Sequence, residues 1–235
     1  MIVVEAKPID EVFGFIEKYS RVLVLGCGGC VTVCQAGGEK EVGILAQALR
    51  LKAKMGNGTI EFLENTITRQ CDPEFVEPLL ESLQGVDAIL SLACGVGVNF
   101  LADRLGDIPV FPAVNTTFMG ATIEHGEWME LCAGCGECIL HLTGGICPIA
   151  RCSKRILNGP CGGTKGEECE ISTPERPVEC AWVKIIERAK RLGTLDKLTE
   201  IIGPRDWSTA RDGGPRTLVR ADLKIDEEEA AQPET

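Results

Sequence analysis

Aromatic residues are scarce, 5% of 235 positions with a single tyrosine, so few side chains could stack on bases. Positive charge is also short: 24 Lys and Arg against 35 Asp and Glu leave a net charge of −11. A chain that neutralises phosphates needs a basic face. Together these exclude nucleic acid as a partner. No run approaches the roughly 18 consecutive apolar residues of a membrane span. The opening MIVVEAKPIDEV has neither the positive n-region nor the long apolar h-region of a secretory signal. The expectation is a soluble, cytoplasmic protein that does not engage a membrane. Imidazoles are limited to His125 and His141, and neither stands near a Ser and Asp pattern that would suggest a triad. Both read as structural, with His141 the better neighbour for a metal because it lies among cysteines.

Cysteine, in contrast, is abundant, with 13 in the chain. An odd number in a chain of this length suits a disulfide framework poorly. The 44% hydrophobic content supports one or two domains with real cores that need no such staples. In a reducing cytosol those thiols are free to bind metal.

The first 120 residues alternate between short apolar runs and helical segments. RVLVLG (21–26), TIEFLE (59–64), DAILSLA (87–93) and IPVFPAV (108–114) read as strands buried on both faces. Segments 8–19, 38–54, 73–84 and 96–105 read as helices, with Asp72 and Pro73 suited to cap and first turn. This alternation predicts an α/β fold: a small Rossmann-like parallel-sheet domain over 1–124. Glycine, cysteine and proline then take over, predicting a cysteine-rich, metal-stabilised domain over 125–202. A helix resumes at CAWVKIIERAKRLG, where Trp182, Ile185, Ile186 and Ala189 share a face and Gly193 supplies the stop. Residues 203–235 are expected to form an extended or partner-docking tail.

The turn GCGGCVTVCQAGG after the first strand resembles a phosphate-binding loop, but Val31 stands where the G-x-G-x-x-G fingerprint needs its third glycine. Its cysteines carry more weight. Cys27 and Cys30 follow the first strand, Cys71 the second, and Cys94 ends the third, which in a parallel sheet brings all four to the carboxyl edge. They form one candidate metal site, with Cys34 as the spare thiol that packs beside it. The order C-x2-C-x3-C is the reverse of the radical-enzyme motif.

The stretch LCAGCGECILHLTGGICP (131–148) holds Cys132, Cys135 and Cys138 in tandem and Cys147 before a proline. Structural zinc usually takes two separated pairs, whereas three tandem thiolates suit three irons of a cubane whose fourth ligand comes from afar. With Cys152, Cys161, Cys169 and Cys180, eight cysteines lie between 132 and 180, the ligand count of two four-iron clusters. By ferredoxin logic the triplet takes Cys180, and Cys147, Cys152, Cys161 and Cys169 hold the second cluster.

The tract CAGCGECILHLTGGICPIARCSKRILNGPCGG, followed by CEISTPERPVECAW, resembles the C-terminal motif of the MetV family, the accessory subunits of methylenetetrahydrofolate reductase. The resemblance implies a non-catalytic iron–sulfur subunit of an oxidoreductase complex from anaerobes using the acetyl-CoA pathway. Its implied partner is a barrel-shaped, MetF-like flavin subunit (FMN or FAD) that reduces methylene- to methyltetrahydrofolate. Electrons would come from ferredoxin or a larger electron-bifurcating complex. The resemblance also implies zinc in some members, so the N-terminal site is open to zinc or a third [4Fe-4S] cluster. A zinc-bound scaffold of the same complex and an iron–sulfur protein of corrinoid methyl transfer stand as alternatives.

Overall fold

A computed structural model describes residues 1–56, 58–210, 214–215 and 217–220. The chain forms two compact units, Met1–Glu130 and Leu131–Thr235. Much of the expected tail, including the acidic run at 226–229, lies outside the described residues.

The first unit opens with strand β1 (Ile2–Ala6) and helix α1 (Ile9–Ile16). There follow β2 (Arg21–Cys27), the one-turn α2 (Cys30–Val33), the long α3 (Glu39–Met55) and β3 (Glu61–Ile67). Then come α4 (Pro73–Leu80), β4 (Ala88–Ser91), α5 (Gly95–Leu105) and β5 (Val110–Pro112). Strands β3, β2, β4 and β5 make one parallel sheet in that order.

Alternation along β2 explains why RVLVLG is apolar throughout. Val22 and Val24 face one side with Ala88 and Leu90, packed on Val12 and Ile16 of α1 and Val42, Ala46 and Leu49 of α3. Leu23 and Leu25 face the other with Ile89, against Val76 and Leu79 of α4 and Leu101 of α5. Helix starts follow local chemistry. Asp72 accepts the Glu74 N–H at 3.3 Å, with Pro73 in the first turn. Glu41 reaches back to the Gly38 N–H at 2.9 Å ahead of α3.

The sequence placed no strand at 2–6, and it ran the fourth strand through to 114. In the structure β5 stops at Pro112 and the chain leaves the sheet as β6 (Val114–Met119), which pairs antiparallel with β1. Val4 and Val114 of this ribbon pack with Cys27, Val31 and Ala93 in a third small core at the carboxyl edge of the sheet. A hairpin of β7 (Ala121–Glu124) and β8 (Glu127–Met129) closes the unit, so the division falls after Glu130 where a boundary at 124 was expected.

The second unit has little regular structure: α6 (Pro148–Arg151), α7 (Ala181–Leu192) and short 3-10 turns at Leu195–Thr199 and Trp207–Thr209. Helix α7 buries Trp182, Ile185 and Ala189 and ends at Gly193 with φ +65°. Its core consists of Ile146, Cys180, Trp182 and Ile185, with Cys152, Cys169, Val183 and Leu198 against it. The Trp182 indole N–H donates to the Ile156 carbonyl at 2.9 Å. Among the described residues no helix is long and apolar enough to cross a membrane.

Ile89 is fully buried in the core beneath α4 and α5. I89A should therefore destabilise the protein by about 2–5 kcal/mol in urea unfolding followed by far-UV circular dichroism. A loss below about 1 kcal/mol would contradict this packing.

Candidate metal-binding cysteines

In the first unit Cys71 follows β3, Cys27 closes β2, and Cys94 stands between β4 and α5 as its N-cap. The three therefore leave the carboxyl ends of three adjacent strands. The chain runs from β2 outward to β3, then crosses to β4 on the other side of β2. That reversal is the switch point where open α/β sheets form their binding crevice.

Cys27 and Cys94 share one small apolar core at this edge. Partial burial, then the neighbouring charges of Cys27 and Cys94, push the Cys71 thiol above its ordinary range, with Asp72 adding to the effect. The Cys71 thiol so placed holds its proton more tightly unless a cation lies beside it. Cys30 opens α2. Cys34, rather than Cys30, shares the small apolar core with Cys27 and Cys94, and its thiol donates to the Val31 carbonyl at 3.4 Å.

Two features hold this edge in place. Gln70, fully buried beside Cys71, donates its amide to the Leu25 and Gly26 carbonyls, both at 2.9 Å. Its oxygen accepts from the Ser91 hydroxyl at 2.6 Å, and that hydroxyl accepts the Ala93 N–H at 3.2 Å. One amide thus ties the loop after β3 to the ends of β2 and β4. Sequence reasoning missed Gln70. Its one visible signal was an uncharged polar side chain next to a ligand candidate. The second feature is Gly37, whose carbonyl accepts the Cys27 N–H at 2.9 Å. A Cβ there would collide with the Leu92 carbonyl and lie 2.8 Å from a Val31 methyl, so this glycine serves close approach of backbones rather than phosphate binding.

In the second unit the thiols sit in tight turns whose backbone N–H groups face sulfur. Cys132 accepts from Gly134 at 3.4 Å, Cys147 from Ala150 at 3.5 Å, and Cys161 from Gly163 at 3.5 Å. Hydrogen bonds of this kind to sulfur tune a bound cluster. The Cys135 thiol lies 3.4 Å from Nη2 of Arg205, and Cys138 is exposed.

Residues 167–169 run antiparallel to 178–180. The Cys169 N–H donates to Val178 and the Cys180 N–H to Glu167, both at 2.8 Å. This brings Cys169 and Cys180 to one apolar cluster with Cys152, whereas the spacing had assigned Cys180 to the triplet. Lys154 is held above its usual range by its hydrogen bond with Glu170, then by the charges of Cys161 and Cys169, which places both thiols beside it. Glu179 is held below the usual carboxylate range by the Lys184 ammonium at 2.5 Å, helped by Arg151. His141 is exposed, and His125 lines a shallow cavity of about 240 Å³ with Cys34 and Trp128.

Among the described residues no group of three His, Cys, Asp or Glu side chains already stands around one point as a metal would require. The donors themselves are all sulfur, which suits iron–sulfur clusters and zinc alike and disfavours hard cations.

Residues 111–208 match the family described as "Methylene-tetrahydrofolate reductase C terminal". The match spans under half of the chain. It takes in all eight cysteines from Cys132 to Cys180 and leaves the N-terminal cysteines outside. It supports a chain related to methylenetetrahydrofolate reductase. Comparison with curated proteins and with solved structures gave no match.

Q70L keeps the volume of the buried amide and removes its three hydrogen bonds. It should cost about 1–3 kcal/mol for each polar group left unpaired and speed the reaction of Cys71 with a thiol reagent. Unchanged stability with unchanged Cys71 reactivity would show that the amide does not hold this edge.

Proposed function

We propose that the chain is the electron-transfer iron–sulfur subunit of a methylenetetrahydrofolate reductase complex. It relays electrons from ferredoxin or a larger electron-bifurcating assembly to the flavin of a MetF-like catalytic subunit. The observation that carries this is the set of eight cysteines within the matched region, three of them in turns that aim a backbone N–H at sulfur.

Cys132, Cys135 and Cys138 supply three ligands of one [4Fe-4S] cluster. The pairing of 167–169 with 178–180 supports grouping Cys180 with Cys152, Cys161 and Cys169, which leaves Cys147 to complete the triplet, a departure from two-cluster ferredoxins, whose cysteine before proline ligates the other cluster. Cys27, Cys30, Cys71 and Cys94 form the third site, for zinc or a further cluster. Clusters of this class carry single electrons, so they match a one-electron donor to a flavin that accepts two.

The protein's own part is to hold and tune the sulfurs. The Gly134, Ala150 and Gly163 amides donate to the sulfurs of Cys132, Cys147 and Cys161, hydrogen bonds that tune a bound cluster. The Trp182 core shields the inner thiols from water. Hydride transfer to the folate belongs to the flavin partner.

Anaerobically purified protein should be brown and contain about eight irons and eight acid-labile sulfides in the second unit, from two four-iron clusters. Fewer than about six irons per chain after full reconstitution, or zinc alone, would sink this assignment. At the N-terminal site C94A should lose that site's metal and C34A should retain it. Loss in C34A with full retention in C71A would make Cys34 the ligand.

A further inference from the structure

The segment after α7 folds back onto the cysteine triplet. Thr209 donates its hydroxyl to the Cys135 carbonyl at 2.9 Å. Gly136 sits beneath it at φ +84°, where a Cβ would stand 2.7 Å from the Thr209 carbonyl oxygen. Ala210 is buried, and the Asp206 carboxylate fixes the turn by accepting the Ser208 N–H at 2.9 Å. This strap delivers Arg205 to the triplet.

The Arg205 side chain is only 3% exposed. Its Nη2 donates to the Glu137 carbonyl at 2.5 Å and to the Cys135 sulfur at 3.4 Å. The Glu137 carboxylate lies 3.6 Å away but is 64% exposed, so water weakens its hold on the charge. Trp207 covers the guanidinium, its ring 5.3 Å from Cζ. Nε and Nη1 are buried and have no hydrogen-bond acceptor among the described residues. A buried guanidinium with one solvated counter-charge and two unpaired nitrogens is costly. Its donors require an acceptor, and the Cys135 sulfur that Nη2 already touches would offer one as a metal-bound thiolate.

We propose that Arg205 is the counter-charge of the cluster bound at Cys132, Cys135 and Cys138, and that it raises the reduction potential of that cluster alone. The inference rests on the iron–sulfur assignment above. Reduction adds one electron, and so one negative charge, to the thiolate-bound group, with no bond made or broken. A fixed positive charge with N–H groups on sulfur stabilises the more negative form. The two clusters of the unit thereby become unequal, the one under the strap being the easier to reduce. Arg205 acts as a positioning residue through charge and contributes no ligand.

The test uses the full chain, reconstituted with iron and sulfide, in wild-type, R205Q and R205K forms. Iron and sulfide are counted, and dithionite titrations are followed by EPR. R205Q should keep its metal while one signal moves to lower potential by about tenfold in its reduction equilibrium, about 59 mV for one electron, and the other stays in place. R205K keeps the charge and loses the fork, so the same signal should move the same way by less. Full metal content in R205Q with both potentials unmoved overturns the role of Arg205 and leaves the cluster assignment standing. If R205Q does not load, an unmoved potential in R205K overturns it equally. A wild-type chain that takes up no iron overturns the assignment and this inference together.

Discussion

Strand β2 is hydrogen-bonded along both edges and buried on both faces, and the first unit is arranged around that constraint. A strand so enclosed can end in only one direction, toward the carboxyl edge, where Cys27 emerges. Its neighbours β3 and β4 are held in register with it, so Cys71 and Cys94 emerge at the same edge. The antiparallel β1–β6 ribbon supplies the apolar cover, and Gln70 joins the three chain ends with hydrogen bonds that no sheet ladder could make there. The sulfur trio is a product of strand register rather than of a local motif, which is why nearly seventy residues can separate its members.

The second unit follows a different logic. Its buried apolar set is small, and its turns are specified by cysteine and glycine at close intervals. Thiolate ligation can supply the ordering that a core of this size does not. The strap at 205–210 adds a buried positive group, Arg205, against the triplet.

The sheet strands were legible because two-sided burial leaves an unbroken apolar signature, and the helices because their caps and apolar spacing are local. The ribbon was not. IVVEA is short, and VNTTFM exposes most of its side chains, so their pairing depends on a partner more than a hundred residues away. Cys27, Cys71 and Cys94 could be placed at one edge from topology alone. Gln70 could not, because an amide's value lies in carbonyls that only the folded chain brings within reach. The placement of Cys180 beside Cys169 depends on the pairing around Glu168 and Glu179, which ligand spacing does not encode. Arg205 was hidden in a polar stretch that composition alone assigns to a tail.

The three tryptophans of the chain are distributed one to each sulfur region. Trp128 borders the cavity that contains Cys34, Trp182 sits in the core with Cys180, and Trp207 lies over the guanidinium that touches Cys135. On the proposed assignment the clusters of the second unit would absorb where indole emits, which would make Trp182 and Trp207 their optical reporters, whereas zinc at the N-terminal site would leave Trp128 bright. Variants that keep one of these two tryptophans would then let the filling of each proposed cluster be followed by fluorescence quenching, and the order of loading could be timed without any added label.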